Sequence, residues 1–560
     1  MITPNIWGQG QLFALSALDG ESLHSDDFIG TLCGDKIGIR FHSKTKRELV
    51  ITGIADCAPE FQTVSSDVIT INTLKGEINI IYADTRLIIG NVVDGADTIA
   101  LTEGAFKEEI IDDVKIQNTL DGDFTALLIK DNKFAFALEH SAEAAAKKVQ
   151  KGIETDIATL KEKHLSLYKN FNMSGSKYDR LYAKCISVMK SQLYSPEGRF
   201  TRIWSTPDRL PHKYLWLWDS VFHAIGHRHI NPTLAEDLIL EIFEAQGDDG
   251  FIAHMANLEL TSDITQPPVI AWGSYLVYEK SGNKEFLKTV FQRVDKFLHW
   301  CHRNRRQSDG MLYTWLTTDN DLCRCDECGM DNSPRFDKDT LLEAIDFSCF
   351  MANETRFMAK IASVLGDNEQ EKYYSEWHEQ IKAAVNSKLW SEDDGFYFDY
   401  DIKNDEHSKV WSVASFLPLF AGVCDDEKAR ILLSHLSNPE TFCSPFPVPS
   451  ISKQDPTYGS DMWRGPVWMN YNYMIYTGLK NYGFTDYAKE LKTKTLDVVN
   501  QWYMNEGTVY EFYDPENIHS PSILNRKGLP YKPYDFDVRY QSIRDYGWTA
   551  TITMDLLSND

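Results

Sequence analysis

The chain has 560 residues, 82 acidic side chains against 57 basic ones for a formal net charge of −25, and a hydrophobic fraction of 43%. That length and apolar content exclude a small disulfide-stapled scaffold and a disordered or fibrous chain, and they allow about two to four domains. The negative field repels a polyanion, so nucleic acid is not an expected partner.

The first residues, MITPNIWGQGQLF, carry neither a basic leader nor an apolar core of signal-peptide length. No run approaches the roughly 18 apolar residues a membrane span needs. The ten Cys are scattered, mostly within apolar helical patterns where a thiol acts as a small core residue. The expectation is a cytoplasmic protein with no membrane partner.

Up to residue 140 short apolar runs alternate with Gly, Asp and Asn turns, as in ELVITGI, DVITINTL, GEINIIYA, TRLIIGNVV and DFTALLIK. Period-two runs at this spacing predict an antiparallel β-sandwich over residues 1–140. Residues 141–174, opening with SAEAAAKKVQKGIETDIATLKEKHLSLYKN, are rich in Ala, Lys and Glu at helical spacing and read as a connecting helical segment.

From about residue 175 the period becomes 3.6. Twelve helices are predicted at 177–193, 219–229, 232–245, 268–281, 284–304, 339–365, 368–389, 410–421, 425–437, 466–482, 484–503 and 546–557. Loops between them carry nearly all the Trp, Asp and Gly clusters, and no repeat of fixed length marks an open solenoid. The expected fold class is therefore mainly α, an (α/α)6 barrel over 175–560 preceded by the β-sandwich.

Four segments mix rings, Arg and carboxylates beside helix ends. KYLWLWDSVFHAIGH sets Asp219 at the head of a helix, where an Asp also serves as an N-cap, with Trp216 and Trp218 beside it. GMDNSPRFD holds Asp331, Asn332 and Arg335, an order that an Asx turn before Pro334 would also explain. DMWRGPVWMNYNYMIYTGLKNYG opens with Trp463 and Arg464, enters a helix at Pro466 and carries Trp468. GTVYEFYDPENIHS holds Glu511 between Tyr510 and Phe512, aromatic neighbours that exclude water and move a carboxyl toward acid/base range. Two carboxylates on loops of a helical ring, with Trp and Arg around them, suit glycosidic hydrolysis by an acid that protonates the leaving oxygen and a base that activates water.

The stretches WDSVFH, GMDNSPRF, WRGPVWMNYNYMIYTGLKNYG, YEFYDPE and DYGWTATI resemble the signatures of glycoside hydrolase family 63 and its mannosylglycerate hydrolase-like bacterial relatives, over about residues 200–557. The resemblance implies an inverting, exo-acting α-glycosidase on an (α/α)6 barrel, with Asp331 as general acid and Glu511 as general base. Substrate positioning is expected from Trp216, Asp219, Trp272, Asn332, Arg335, Trp411, Trp463, Arg464 and Trp468, and the substrate is expected to be a small α-glucoside or α-mannoside. The chain departs from the family pattern in a longer insert over 517–545, whose Arg526, Arg539 and Arg544 are candidates to hold a carboxylate, or to be surface charge, and which leaves room for a homo-oligomer contact.

Competing readings are a glycoside phosphorylase, against which a carboxylate beside a phosphate site argues, and an inactive sugar-binding protein on the same barrel. The run Cys323, Cys325, Cys328 could offer three thiolates to zinc, but it lacks the second Cys pair of a structural site, so no metal is expected. No cofactor is expected either, since phosphate-loop, dinucleotide and G-x-S-x-G fingerprints are missing.

Overall fold

The computed structural model describes residues 8–9, 13–15, 31–33, 36–41, 47–65, 67–84, 86–102, 107–118, 122–170, 175–196, 198–208, 214–307, 310–320, 322–338, 341–527 and 541–559. The chain divides into two compact units, Met1–Ser195 with Tyr503–Thr508, and Pro196–Trp502 with Val509–Asp560.

In the first unit the described strands form two antiparallel sheets, one of six strands and one of eight. Ile37, Ile39, Leu49 and Ile51 of the smaller sheet meet Ile69, Ile71, Ile78, Ile80, Phe134 and Phe136 of the larger in a common core. This is the predicted sandwich, built on inward-facing alternate residues. The larger sheet is apolar on its second face as well, which is why KFAFALE reads as an unbroken apolar run. Helix α1 (Ala142–Ile153) covers that face through Ala142, Ala145, Val149 and Ile153. The segment expected to connect is thus two helices, α1 and α2 (Ile157–Asn170), and α1 is a layer of the fold. Helix α3 (Asp179–Ser191) follows.

The second unit is helical. Its elements are α4 (Leu217–His227), α5 (Pro232–Ile242), α6 (Ile270–Ser281), α7 (Lys284–Asn304), α8 (Ile345–Leu365), α9 (Asn368–Lys388), α10 (Leu417–Ala421), α11 (Asp426–Leu436), α12 (Met469–Asn481), α13 (Thr485–Glu506) and α14 (Gly547–Ser558). The even-numbered helices close a ring: α4 packs on α6, α6 on α8, α8 on α10, α10 on α12, α12 on α14, and α14 returns to α4. Odd-numbered helices wrap outside, α5 against α4 and α6, α7 against α6 and α8. This is the (α/α)6 barrel.

The two layers differ in sequence for a physical reason. Every residue of α4 is buried, as is α14 from Gly547 to Leu556, so these inner helices present no solvent face, and their polar residues, such as Asp219 and Asp555, are buried too. Outer α7 buries one stripe, including Phe286, Val290, Val294, Phe297 and Cys301, and is capped by Asn283, whose side chain accepts from the amides of Glu285 and Phe286. Close approach inside the ring needs residues without a side chain: a Cβ on Gly226 of α4 would lie 2.6 Å from Thr551 Cα on α14. Trp272 of α6 plugs the middle, touching Phe222 of α4, Phe420 of α10 and Tyr473 of α12.

Two predicted boundaries move. The helix expected at 410–421 is a 3-10 turn, Val413–Phe416, capped by Ser412, followed by only five α-helical residues with Pro418 in their first turn. The helix expected from 339 begins at Ile345, after a short strand at Leu342–Glu343. Among the described residues no helix is long and apolar enough to cross a membrane.

Candidate active site

The N-terminal ends of the inner helices α4, α12 and α14, with the loops that lead into α6 and α8, surround a cavity of about 320 Å³. Short antiparallel pairings fix its walls. Leu215–Trp216 pairs with Met255–Ala256, which brings Trp216 beside His254 at the head of α4. Val467–Trp468 pairs with Phe512–Tyr513, so the entry to α12 carries Trp468 next to Glu511. The amide of Glu511 donates to the carbonyl of Ile543, and the amide of Met462 to that of Asn525, which ties residues 525–527 to the same rim.

Asp331 sits in the loop before α8. Its own carbonyl accepts from the amides of Arg324 and Cys325 at 3.0 and 3.4 Å, folding residues 324–331 into a tight curve with Gly329 at φ +72°. The Asp331 carboxylate faces the cavity, and Lys527 Nζ donates to its Oδ2 at 2.8 Å. Burial would raise this carboxyl, but the ammonium of Lys527 and the guanidinium of Arg526 outweigh it and hold it below its ordinary range. Asp326, on the same wall, goes the other way, pushed up by burial and by the charge of Asp331.

Glu511 lies deeper, its side chain 2% exposed against 16% for Asp331. Arg526 grips it in a fork, Nε to Oε2 and Nη2 to Oε1, both 3.1 Å. Asp219, in the first turn of α4, points into the cavity with its Oδ1 unpartnered among the described residues. Burial, Asp208 and Glu511 together raise its carboxyl well above the ordinary value. Around these acids stand the indoles of Trp218, Trp468 and Trp548, the last two 5.7 Å apart and Trp218 edge-on to Trp548 at 5.5 Å. Tyr214, Tyr546, Gln266 and Met462 complete the lining.

Of the residues expected from sequence, Asp331, Glu511, Trp216, Asp219 and Trp468 converge on this cavity, and six others do not line it. Trp272 is the plug of the helical ring. Asn332 turns inward and accepts the amide of Trp463 at 3.0 Å, while the Trp463 ring lies fully buried behind Trp468. Arg335 is buried between two carboxylates, Asp346 and Asp399, with four contacts of 2.6 to 2.9 Å. Trp411 stacks on Phe396 with centroids 4.4 Å apart, and Arg464 pairs with Asp337. Asn332 and Arg335 anchor the loop that carries Asp331. All six stand outside the cavity lining, each paired with or covered by a protein neighbour.

Sequence reading missed Lys527, Asp326, Gln266, Tyr546 and Trp548 as cavity residues. A signal existed only for Trp548 and Tyr546, inside DYGWTATI. Arg526, expected either to hold a substrate carboxylate or to be surface charge, is instead buried and paired with Glu511; Arg544 lies under the ring of Tyr510 at 5.9 Å, and Arg539 falls outside the described residues. Of the Cys run, Cys323 donates to Asp326, whereas the thiols of Cys325 and Cys328 lie against each other and Cys328 donates to the carbonyl of Cys325.

The family model of the mannosylglycerate hydrolase MGH1-like glycoside hydrolase domain matches residues 212–549. Mannosylglycerate hydrolase of Thermus thermophilus is 25% identical over 418 residues, 59% of this chain and 94% of that protein. An uncharacterized protein of Borreliella burgdorferi is 26% identical over 254 residues, 44% of this chain, and the chain spans about half of it, 51%. A crystal structure of the GH63 mannosylglycerate hydrolase from Thermus thermophilus in complex with Tris superposes with a TM-score of 0.56 at 23% identity, over 68% of this chain and 100% of the other, a likeness of fold.

Proposed function

From the premise that this chain belongs to the mannosylglycerate hydrolase MGH1-like glycoside hydrolase family and is a glycoside hydrolase, we propose that it is an inverting, exo-acting α-glycosidase of small substrates. Asp331 is the general acid and Glu511 the general base. The observation that carries this reading is that both carboxylates open on one cavity lined by four indoles, a setting for a single sugar ring between an acid and a base. The acid donates to the glycosidic oxygen as the bond to the anomeric carbon breaks. The base takes a proton from the water that attacks the opposite face, so the released sugar has the opposite anomeric configuration. Catalysis belongs to residues 175–560, and the sandwich of residues 1–140 takes no part in the chemistry.

Asp219, unpartnered on Oδ1, supplies a hydrogen bond to a sugar hydroxyl, and Trp468 and Trp216 offer apolar faces to the ring. The size of the cavity favours a disaccharide or a glycosylated small acid over a polymer. The test is product analysis on kojibiose, nigerose, trehalose, glucosylglycerate and mannosylglycerate, following the anomer released, with and without phosphate. Release of the β-anomer from an α-linked substrate is expected. Retention of the α-anomer, a requirement for phosphate, or cleavage only within long chains would overturn the reading.

A further inference from the structure

Arg526 and Lys527 are consecutive residues, and each pairs with one of the two carboxylates to which catalysis is assigned: Arg526 with Glu511 and Lys527 with Asp331. For the base the pairing is compatible with its task, because a carboxylate has about four lone-pair directions and the fork leaves some of them for water. For the acid it has the wrong sign. A general acid must carry a proton, and an ammonium at 2.8 Å expels it.

We propose that Lys527 is a positioning residue that sets the protonation of Asp331: in the free enzyme its ammonium keeps the carboxylate charged, a glycoside displaces it, and Asp331 then shares one proton with Asp326. This rests on the assignment of Asp331 as the acid.

The groups facing Asp331 narrow the proton's partner to Asp326. His254 interacts with Asp331, but burial lowers it to about 4, leaving a neutral ring near neutrality, and its Nδ1 is engaged with Ser262. Cys323 is buried, its thiol is raised by that burial, and it donates to Asp326. Arg526 stays charged, bound to Glu511. Ligand atoms of Cys323, Asp326 and Asp331 all lie within 4.8 Å of one another, with Lys527 Nζ 2.8 Å from Asp331 and 3.5 Å from Cys323. The ammonium, together with the more distant charge of Arg526, makes two adjacent carboxylates tolerable. When it moves away, like charges this close retain one proton between them, taken from solvent. In the reaction that proton forms the new O–H bond on the leaving oxygen, the electron pair of the broken C–O bond goes to that oxygen, and Asp331 is left as carboxylate. Re-pairing with Lys527 then stabilises the spent acid. The Lys527 side chain is 26% exposed, so its displaced ammonium has solvent to enter.

The experiment titrates the enzyme labelled with carboxyl-13C aspartate, identifying the Asp331 resonance by its loss in Asp331→Asn. In Lys527→Met and Lys527→Gln its midpoint is expected to rise by about 1 to 3 pH units, the effect of removing an opposite charge at this range. Lys527→Arg should restore it, and Asp326→Asn should lower it. In turnover of glucosylglycerate or mannosylglycerate, the alkaline limb of kcat/KM should move up in Lys527→Met while that of kcat stays, because kcat reports the bound state. A midpoint unchanged in both Lys527→Met and Lys527→Gln overturns the inference, as does an alkaline limb that moves equally in kcat and kcat/KM. If instead Asp331→Asn leaves turnover of these glycosides intact while the midpoint moves as expected, the acid assignment fails and the control of Asp331 by Lys527 stands.

Discussion

The indole of Trp463 lies flat against that of Trp468, ring centroids 3.9 Å apart and planes 3° from parallel. Only Trp468 reaches the cavity; Trp463 backs it and is held by Asn332 through its own amide. The two substitutions should therefore separate. Trp468→Ala is expected to weaken sugar binding about tenfold, seen in KM. Trp463→Ala should lose about 3 to 5 kcal/mol of stability in urea unfolding, and Trp463→Phe should keep most of it.

Asp331→Asn is expected to cut turnover of glycosides with poor leaving groups by about 10² to 10⁴ while sparing activated aryl glycosides, which need little proton assistance. Glu511→Gln should depress both classes alike, since water must be activated in either case. Steady-state rates on a matched pair of substrates check this, and equal losses on both classes in Asp331→Asn would reassign the acid.

Arg335 joins Asp346 at the head of α8 to Asp399. Arg335→Met leaves two buried carboxylates without their cation, so a loss of about 3 to 5 kcal/mol is expected. Arg335→Lys should not recover it, because one ammonium cannot reproduce the fork that reaches both acids. Chemical denaturation gives the answer, and a wild-type midpoint in Arg335→Met would contradict it.

Glu354 of α8 accepts the amides of Ala271 and Trp272 at 2.7 and 3.0 Å and so caps α6 from a neighbouring helix. Burial raises its carboxyl to about 7, against 4.5 for the ordinary value. Between those two pH values the native state keeps a proton that the unfolded chain has released. The contribution of this group is therefore fully present below pH 4.5 and declines as pH rises to about 7. The stability difference between wild type and Glu354→Gln should shift in favour of the variant by on the order of 3 kcal/mol from pH 4.5 to 8. A difference independent of pH would show that Glu354 ionises normally.

Much of this architecture is legible in local sequence because it rests on local periodicity. The alternation before residue 140 specifies strands, and the 3.6-residue period after 175 specifies helices, since burying one face of either element imposes its own repeat. Asp331, Glu511, Asp219, Trp216 and Trp468 are legible too, in segments that mix rings, Arg and carboxylates and that resemble the family's signatures. What local sequence leaves open is which way each neighbour points. Within DNSPR, Asp331 faces the cavity while Asn332 and Arg335 turn into the fold, because the amide of Trp463 and the carboxylates of Asp346 and Asp399 wait there. Those partners lie up to 131 positions away along the chain. The pairing of Lys527 with Asp331, across nearly two hundred residues, is likewise a product of the closed ring, which brings the loops before α8 and α14 to one rim. Charge compensation between distant loops follows from three-dimensional neighbourhood, and no periodicity encodes it, so tertiary structure alone decided which of the many Arg and Lys residues meet the two cavity carboxylates.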